Sequence, residues 1–129
     1  MGSIVSFEVL KEEWLAQLKE QTGESVIFVN PSNLDQYGTI LSETEILIGR
    51  DRDMTTSILE KMPVLKFVFI VSNGVEKLPF TYLREREIKV ANTIGVSDAC
   101  MSDYAIGAML LFSSKFLNCF ADQQKNYWR

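Results

Sequence analysis

The segment Leu65 to Val71 constrains the fold most. It sets Phe67, Val68, Phe69 and Ile70 in an unbroken apolar run. Such a run suits a strand buried on both faces, as in parallel sheets. Four other short apolar segments share its character: Ile4 to Val9, Ser25 to Val29, Glu45 to Gly49 and Ile88 to Ala91. Helical patterns lie between them. Leu10 to Thr22 places Trp14, Leu15 and Leu18 on one face, and Gly23 stands where a helix stop is expected. Pro31 to Asn33 and Arg50 to Asp53 read as turn and loop, Leu34 to Ile40 as a weak helix, and Thr55 to Lys61 and Pro79 to Arg84 as short ones. Strands alternating with helices imply right-handed βαβ units. The predicted fold class is α/β and flavodoxin-like: a five-stranded parallel sheet in the order 2-1-3-4-5, helices on both faces, and a long C-terminal helix.

That helix is expected from about Ala99 to Asn126, some 40 Å at ~1.5 Å per residue, with Asp98 or Ser97 as its cap. Tyr104 to Phe112 leave it almost no polar face, and Phe116, Leu117 and Phe120 extend the apolar surface. A helix apolar all round must be covered on all sides. The expected cover is another domain or another subunit, unless the helix is a central core element. The domain boundaries are placed at residues 1–97, a flavodoxin-like domain, and 98–129, the long helix.

Composition narrows the chemistry. The chain has 129 residues and a net charge of −4, one domain by length and too acidic for nucleic acid as its main partner. It contains no histidine, which excludes a His base, a His-oriented triad and a His metal ligand within it. Cys100 and Cys119 fall 19 residues apart in the helical region, about 28 Å along a continuous helix and too far for a bridge. Reduced thiols and a cytoplasmic setting are expected. The Tyr104 to Phe112 segment is too short to span a membrane, and no secretory signal is visible at the N-terminus.

Ligands of open α/β sheets bind beyond the carboxyl ends of the strands. Here that edge carries Gly49-Arg50, Ser72-Asn73-Gly74 and the loop from Asn92 to Ser97. A glycine after a buried strand lets backbone N–H groups approach a carboxylate or phosphate, although glycine is also an ordinary turn residue. Arg50 is either a partner for an anionic ligand or a solvated charge balanced by Asp51 and Asp53. No two glycines are spaced for Gly-x-Gly-x-x-Gly, and there is no P-loop, so a dinucleotide site wholly within this chain is not expected. The carboxylate pairs Glu12-Glu13, Asp51/Asp53 and Glu85/Glu87 read as solvated faces.

From Pro63 onward the sequence resembles the D-isomer-specific 2-hydroxyacid dehydrogenase family. Pro63-Val64-Leu65-Lys66-Phe67-Val68 is similar to the family's P-x-L-K-x-I, and Ser72-Asn73-Gly74-Val75-Glu76-Lys77-Leu78 to its S-A-G-V-D-x-L. Ile88-Lys89-Val90-Ala91-Asn92-Thr93-Ile94-Gly95-Val96 is similar to G-I-x-V-x-N-T-x-G-V, and Ser102-Asp103-Tyr104-Ala105 to A-E-Y/H-A/V. Trp128 falls where members often have a tryptophan before the cofactor domain. The motifs cover residues 63 to 129, and the first half agrees in pattern alone.

The resemblance implies a two-domain parent. Its substrate-binding domain is this chain, and a Rossmann domain with the NAD or NADP site and the catalytic Arg, Glu and His would follow Arg129. On that reading the chain holds no catalytic residue, binds no cofactor or metal by itself and is inactive alone. The substrate is a small 2-oxo or 2-hydroxy acid. The resemblance implies that the backbone at Asn73, Gly74 and Val75 holds the substrate carboxylate, with Arg50 and Ser97 contacting the ligand and Met101 packing near the nicotinamide. It also makes residues 1–97 the substrate-binding domain and 98–129 an interdomain and dimerisation helix, and implies a homodimer through the 99–126 helix. Asn73, Glu76 and Asp103 depart from the small residue, Asp and Glu of the family pattern. The competing readings are a non-enzymatic binding or corepressor-type module on the same fold, and a stand-alone flavodoxin-like signalling or flavin domain. A receiver domain would need an acidic pocket after strand one, where Glu8 stands alone.

Overall fold

The computed structural model describes residues 3–128. Five strands form one parallel sheet: β1 (Ser3–Ser6), β2 (Val26–Phe28), β3 (Thr44–Gly49), β4 (Phe67–Ile70) and β5 (Lys89–Asn92). Their order is β2-β1-β3-β4-β5, as predicted. The crossovers carry helices α1 (Glu12–Thr22), α2 (Gly38–Ser42), α3 (Thr56–Leu59) and α4 (Phe80–Glu85), followed by α5 (Asp98–Ser113) and α6 (Phe116–Gln124). The chain divides into two compact units, one ending at Thr93 and one beginning at Ile94.

The register explains the core of the first unit. Val5 pairs with Leu47, Leu47 with Val68, and Val68 with Val90. In-register residues of parallel neighbours share a face. Val5, Leu47 and Val68 are fully buried there with Leu41 of α2, Leu59 of α3 and Leu83 of α4. The opposite face carries Ile46, Phe67 and Phe69, which are only half-buried. The β4 run predicted to be buried on both faces is therefore sealed on one face alone. The reason is α1. Leu15 and Leu18 are half-buried, but the helix buries no residue fully and Trp14 stays 47% exposed, its ring beneath the Lys11 ammonium.

Local chemistry sets the boundaries. Glu12 and Glu13 favour the start of α1, and Lys19 its end. Gly23 takes a left-handed conformation (φ 75°) and donates to the Lys19 carbonyl at 2.9 Å, the stop expected there. The expected turn at Pro31 and weak helix from Leu34 are two 3-10 turns within Pro31–Tyr37, parted by a kink at Asn33 (φ −141°, ψ 46°), the first begun by the Asn30 side chain accepting the Ser32 N–H, and then α2. Arg50 to Asp53 is a loop only in part, since Asp51–Asp53 close a 3-10 turn. A Cβ on Gly49 would stand 2.7 Å from the Met54 methyl, so the absence of a side chain there lets Met54 seal the core.

The C-terminal helical segment is present in two pieces, where the sequence predicts one. Ser114 ends α5 and Lys115 takes φ 53°, bending α6 by 60° from α5. Ser113 and Ser114 both donate their hydroxyls to the Leu110 carbonyl, competing with the helical ladder at its end. Ser97 does hold the N-cap position of α5, but its side chain makes no capping hydrogen bond. Among the described residues no single helix is long and apolar enough to cross a membrane; only the bent pair α5 and α6 reaches that length together. Cys100 and Cys119 are both free and exposed.

Candidate functional site

Three strand ends supply the carboxyl edge of the first unit. β4 ends at Ile70, and the Val71 N–H reaches back to the Gly49 carbonyl at 2.9 Å. The chain then turns through Ser72 to Lys77. The Ser72 hydroxyl donates to the Gly74 carbonyl at 3.1 Å, and the Leu78 N–H closes the loop on the Val75 carbonyl at 3.1 Å. From Ser72 through Lys77 the successive backbone N–H groups find no acceptor among the described residues. Polar backbone groups left without a partner in this way are available to a ligand.

β5 holds this loop in place. Asn92, its last residue, donates its side-chain N–H to the Asn73 carbonyl at 2.8 Å. The Thr93 hydroxyl lies 3.3 Å from the Asn73 side-chain oxygen. Carbonyl and side chain of Asn73 are thus both engaged. Asn92 and Thr93 open the loop expected from Asn92 to Ser97, and the apolar pattern of β5 does not single out their bonds to Asn73. Their signal is position: two polar side chains at the end of a strand, one strand over from the loop.

Arg50 follows β3 at the same edge. Its Nε donates to one carboxylate oxygen of Glu8 at 2.7 Å, and Nη2 lies 3.4 Å from the other. Both readings of Arg50 meet here: it stands at the expected edge, and its charge is balanced, though by Glu8 rather than by Asp51 or Asp53. Glu8 itself is fixed by Ser6, whose fully buried hydroxyl accepts the Glu8 N–H at 3.1 Å and donates to the Glu8 carbonyl at 2.7 Å. A cavity of about 180 Å³ adjoins, lined by Ser6, Glu8, Leu15, Val26 and Phe28 among others.

Ser97 and Met101 belong to the second unit, at the start of α5, and Met101 is 64% exposed. The structure thus gathers Arg50, Asn73, Gly74 and Val75 on the first unit and leaves Ser97 and Met101 on the other. The second unit has its own concavity of about 600 Å³ on α6, lined by Phe116, Cys119, Phe120, Tyr127 and Trp128 among others. No group of three or more acidic, Cys or His residues suited to a metal ion occurs among the described residues. Nor do the residues fit a dinucleotide. The glycines at the strand ends, Gly49 and Gly74, stand singly, and Gly49 faces Met54 and Phe7 rather than open space.

Known proteins match this arrangement over nearly the whole chain. Residues 4–124 match the family described as D-isomer specific 2-hydroxyacid dehydrogenase, catalytic domain. Glyoxylate/hydroxypyruvate reductase B of Escherichia coli K12 is 27% identical over 109 residues, covering 84% of this chain and 34% of the relative. The chain thus spans about a third of the length of the curated relatives it matches. Among solved structures, a dehydrogenase from Rhizobium meliloti superposes with a TM-score of 0.71 at 20% identity, covering 98% of this chain and 46% of that one. A 2-hydroxyacid dehydrogenase from Ketogulonicigenium vulgare gives 0.72 at 17% identity, covering 97% and 40%. The chain belongs to the D-isomer specific 2-hydroxyacid dehydrogenase family, through its catalytic domain.

Proposed function

We propose that this chain is the substrate-holding portion of an NAD(P)-dependent oxidoreductase acting on D-2-hydroxy acids and 2-oxo acids. The observation that carries this reading is the row of unpaired N–H groups from Ser72 to Lys77 at the carboxyl edge of the sheet. Such donors recognise a carboxylate at fixed geometry without a counter-charge. Gly74 has no side chain, and the Glu76 carboxylate lies 2.6 Å from where its Cβ would be, while Asn92 fixes the loop through the Asn73 carbonyl. The chain binds and orients the acid. It has no histidine to move a proton and no Gly-x-Gly-x-x-Gly to hold a dinucleotide. Acid–base and cofactor functions are therefore assigned to a further domain of the parent, and the chain alone is expected to be inactive.

Saturation-transfer NMR on the purified chain tests this with a matched pair. Hydroxypyruvate and dihydroxyacetone differ in that the first carries a carboxylate where the second carries a hydroxymethyl group. The reading predicts transfer to hydroxypyruvate and none to dihydroxyacetone. Equal transfer to both, or none to hydroxypyruvate, contradicts it, as does turnover of any 2-oxo acid with NADH or NADPH by the chain alone.

A further inference from the structure

Two carboxylates of the chain already stand on the anion-recognising parts of this edge. Glu8 accepts two hydrogen bonds from Arg50, and it is the less exposed partner, its side chain 26% exposed against 47% for the arginine. Ser6 anchors the Glu8 backbone on both sides. The guanidinium after β3 is thus neutralised from within. Glu76 stands on the loop itself, one carboxylate oxygen 2.6 Å from where a Cβ on Gly74 would be. Its side chain is long enough to curl back to Gly74. Around the edge Arg50, Arg52 and Lys77 face Glu8, Asp51, Asp53 and Glu76, and Arg52 lies 3.8 Å from Asp53. The edge offers backbone donors for one carboxylate and no net positive charge for a second anionic group.

We propose that Glu8 is a specificity determinant. By neutralising Arg50 it confines the site to acids of a single negative charge, small 2-oxo or 2-hydroxy acids whose far end is uncharged, and disfavours phosphorylated ones. A phosphate brought to this edge loses hydration and meets no free guanidinium in return. Removal of the Glu8 charge leaves Arg50 uncompensated. A unit positive charge about 6 Å from a phosphate dianion in a water-like medium strengthens binding about tenfold. The inference rests on the carboxylate-loop reading above.

The test is amide-resolved NMR titration of the full chain with D-glycerate and 3-phospho-D-glycerate, which share the reacting carbon and differ by one phosphate. The unaltered chain is expected to favour D-glycerate. Glu8→Gln is expected to raise the affinity for the phosphorylated acid about tenfold relative to D-glycerate. The double variant Glu8→Gln with Arg50→Gln is expected to lose that gain, which ties the effect to the guanidinium. An unchanged preference in Glu8→Gln, with Ser72 to Lys77 still responding to D-glycerate, overturns the role of Glu8 and leaves the carboxylate loop standing. Silence of those amides toward both acids in every variant overturns the loop reading and this inference with it. Should Glu8→Gln lose its native amide dispersion, Glu8→Ala, which also removes the charge facing Arg50, replaces it with the same expected shift in preference and the same contradicting result.

Discussion

Asn92 and Arg86 show how single side chains determine what this fold presents. The Asn92 bond to the Asn73 carbonyl is the tie that β5 makes to the candidate loop through a side chain fixed in a strand. Asn92→Ala removes one hydrogen bond from a partly exposed loop, so stability changes little while the loop loses its set position. Hydroxypyruvate affinity is expected to fall five- to tenfold, about 1–1.4 kcal/mol, with the thermal midpoint nearly unchanged, read by NMR titration and circular dichroism. Arg86 serves the scaffold instead. Its guanidinium donates to the carbonyls of Leu59, Met62 and Pro63 and, at 2.8 Å, to the Tyr82 hydroxyl. It thereby closes the turn after α3 with a residue just past α4. A lysine cannot fork in this way, so Arg86→Lys is expected to cost about 1–3 kcal/mol in urea denaturation. Neither role was legible in the sequence, because each depends on carbonyls brought near by folding. Gly74 was legible, since a glycine just after a buried strand has a local meaning.

At the scale of elements, the sequence indicated which segments pair and in what order, because β-branched and aromatic runs between turn residues are local signals. It overstated the lengths of β1, β2 and β4. Ile4 to Val9 yields a strand ending at Ser6, and from there the Ser6 hydroxyl bonds to the Glu8 backbone and turns the chain out of the ladder. The break after α5 was invisible for a similar reason. Ser113-Ser114-Lys115 contains neither glycine nor proline, and the bend shows only as Lys115 in a left-handed conformation. A non-glycine residue there carries a cost of about 1–2 kcal/mol, part of which a glycine gives back through its freer unfolded chain. Lys115→Gly is therefore expected to stabilise the α5–α6 unit by about 0.5–1 kcal/mol, seen as a higher helical melting temperature. A lower one would show that Lys115 holds the bend through its side chain.

The whole molecule leaves a large apolar surface open. Among α5 and α6 no residue is buried, and Tyr104, Met109 and Phe112 are each at least 70% exposed. Covering a side chain such as Leu110, Phe112 or Phe116 is worth roughly 1.5–3 kcal/mol. Three or four of them approach a small domain's net stability. The chain is expected to self-associate through these helices, as a pair of symmetric or exchanged units. Sedimentation equilibrium is expected to give a dimer at micromolar concentration. A 14.7 kDa monomer at all concentrations would contradict it.

Capture of a carboxylate by the backbone after β4 is the chemistry proposed for this chain. Amide-resolved NMR titration of the chain with glyoxylate and hydroxypyruvate tests it most directly. Saturable shifts are expected, centred on the N–H groups of Gly74 and Val75 and spreading to Asn73 and Asn92. Saturable shifts elsewhere, with the amides from Ser72 to Lys77 silent, would contradict it.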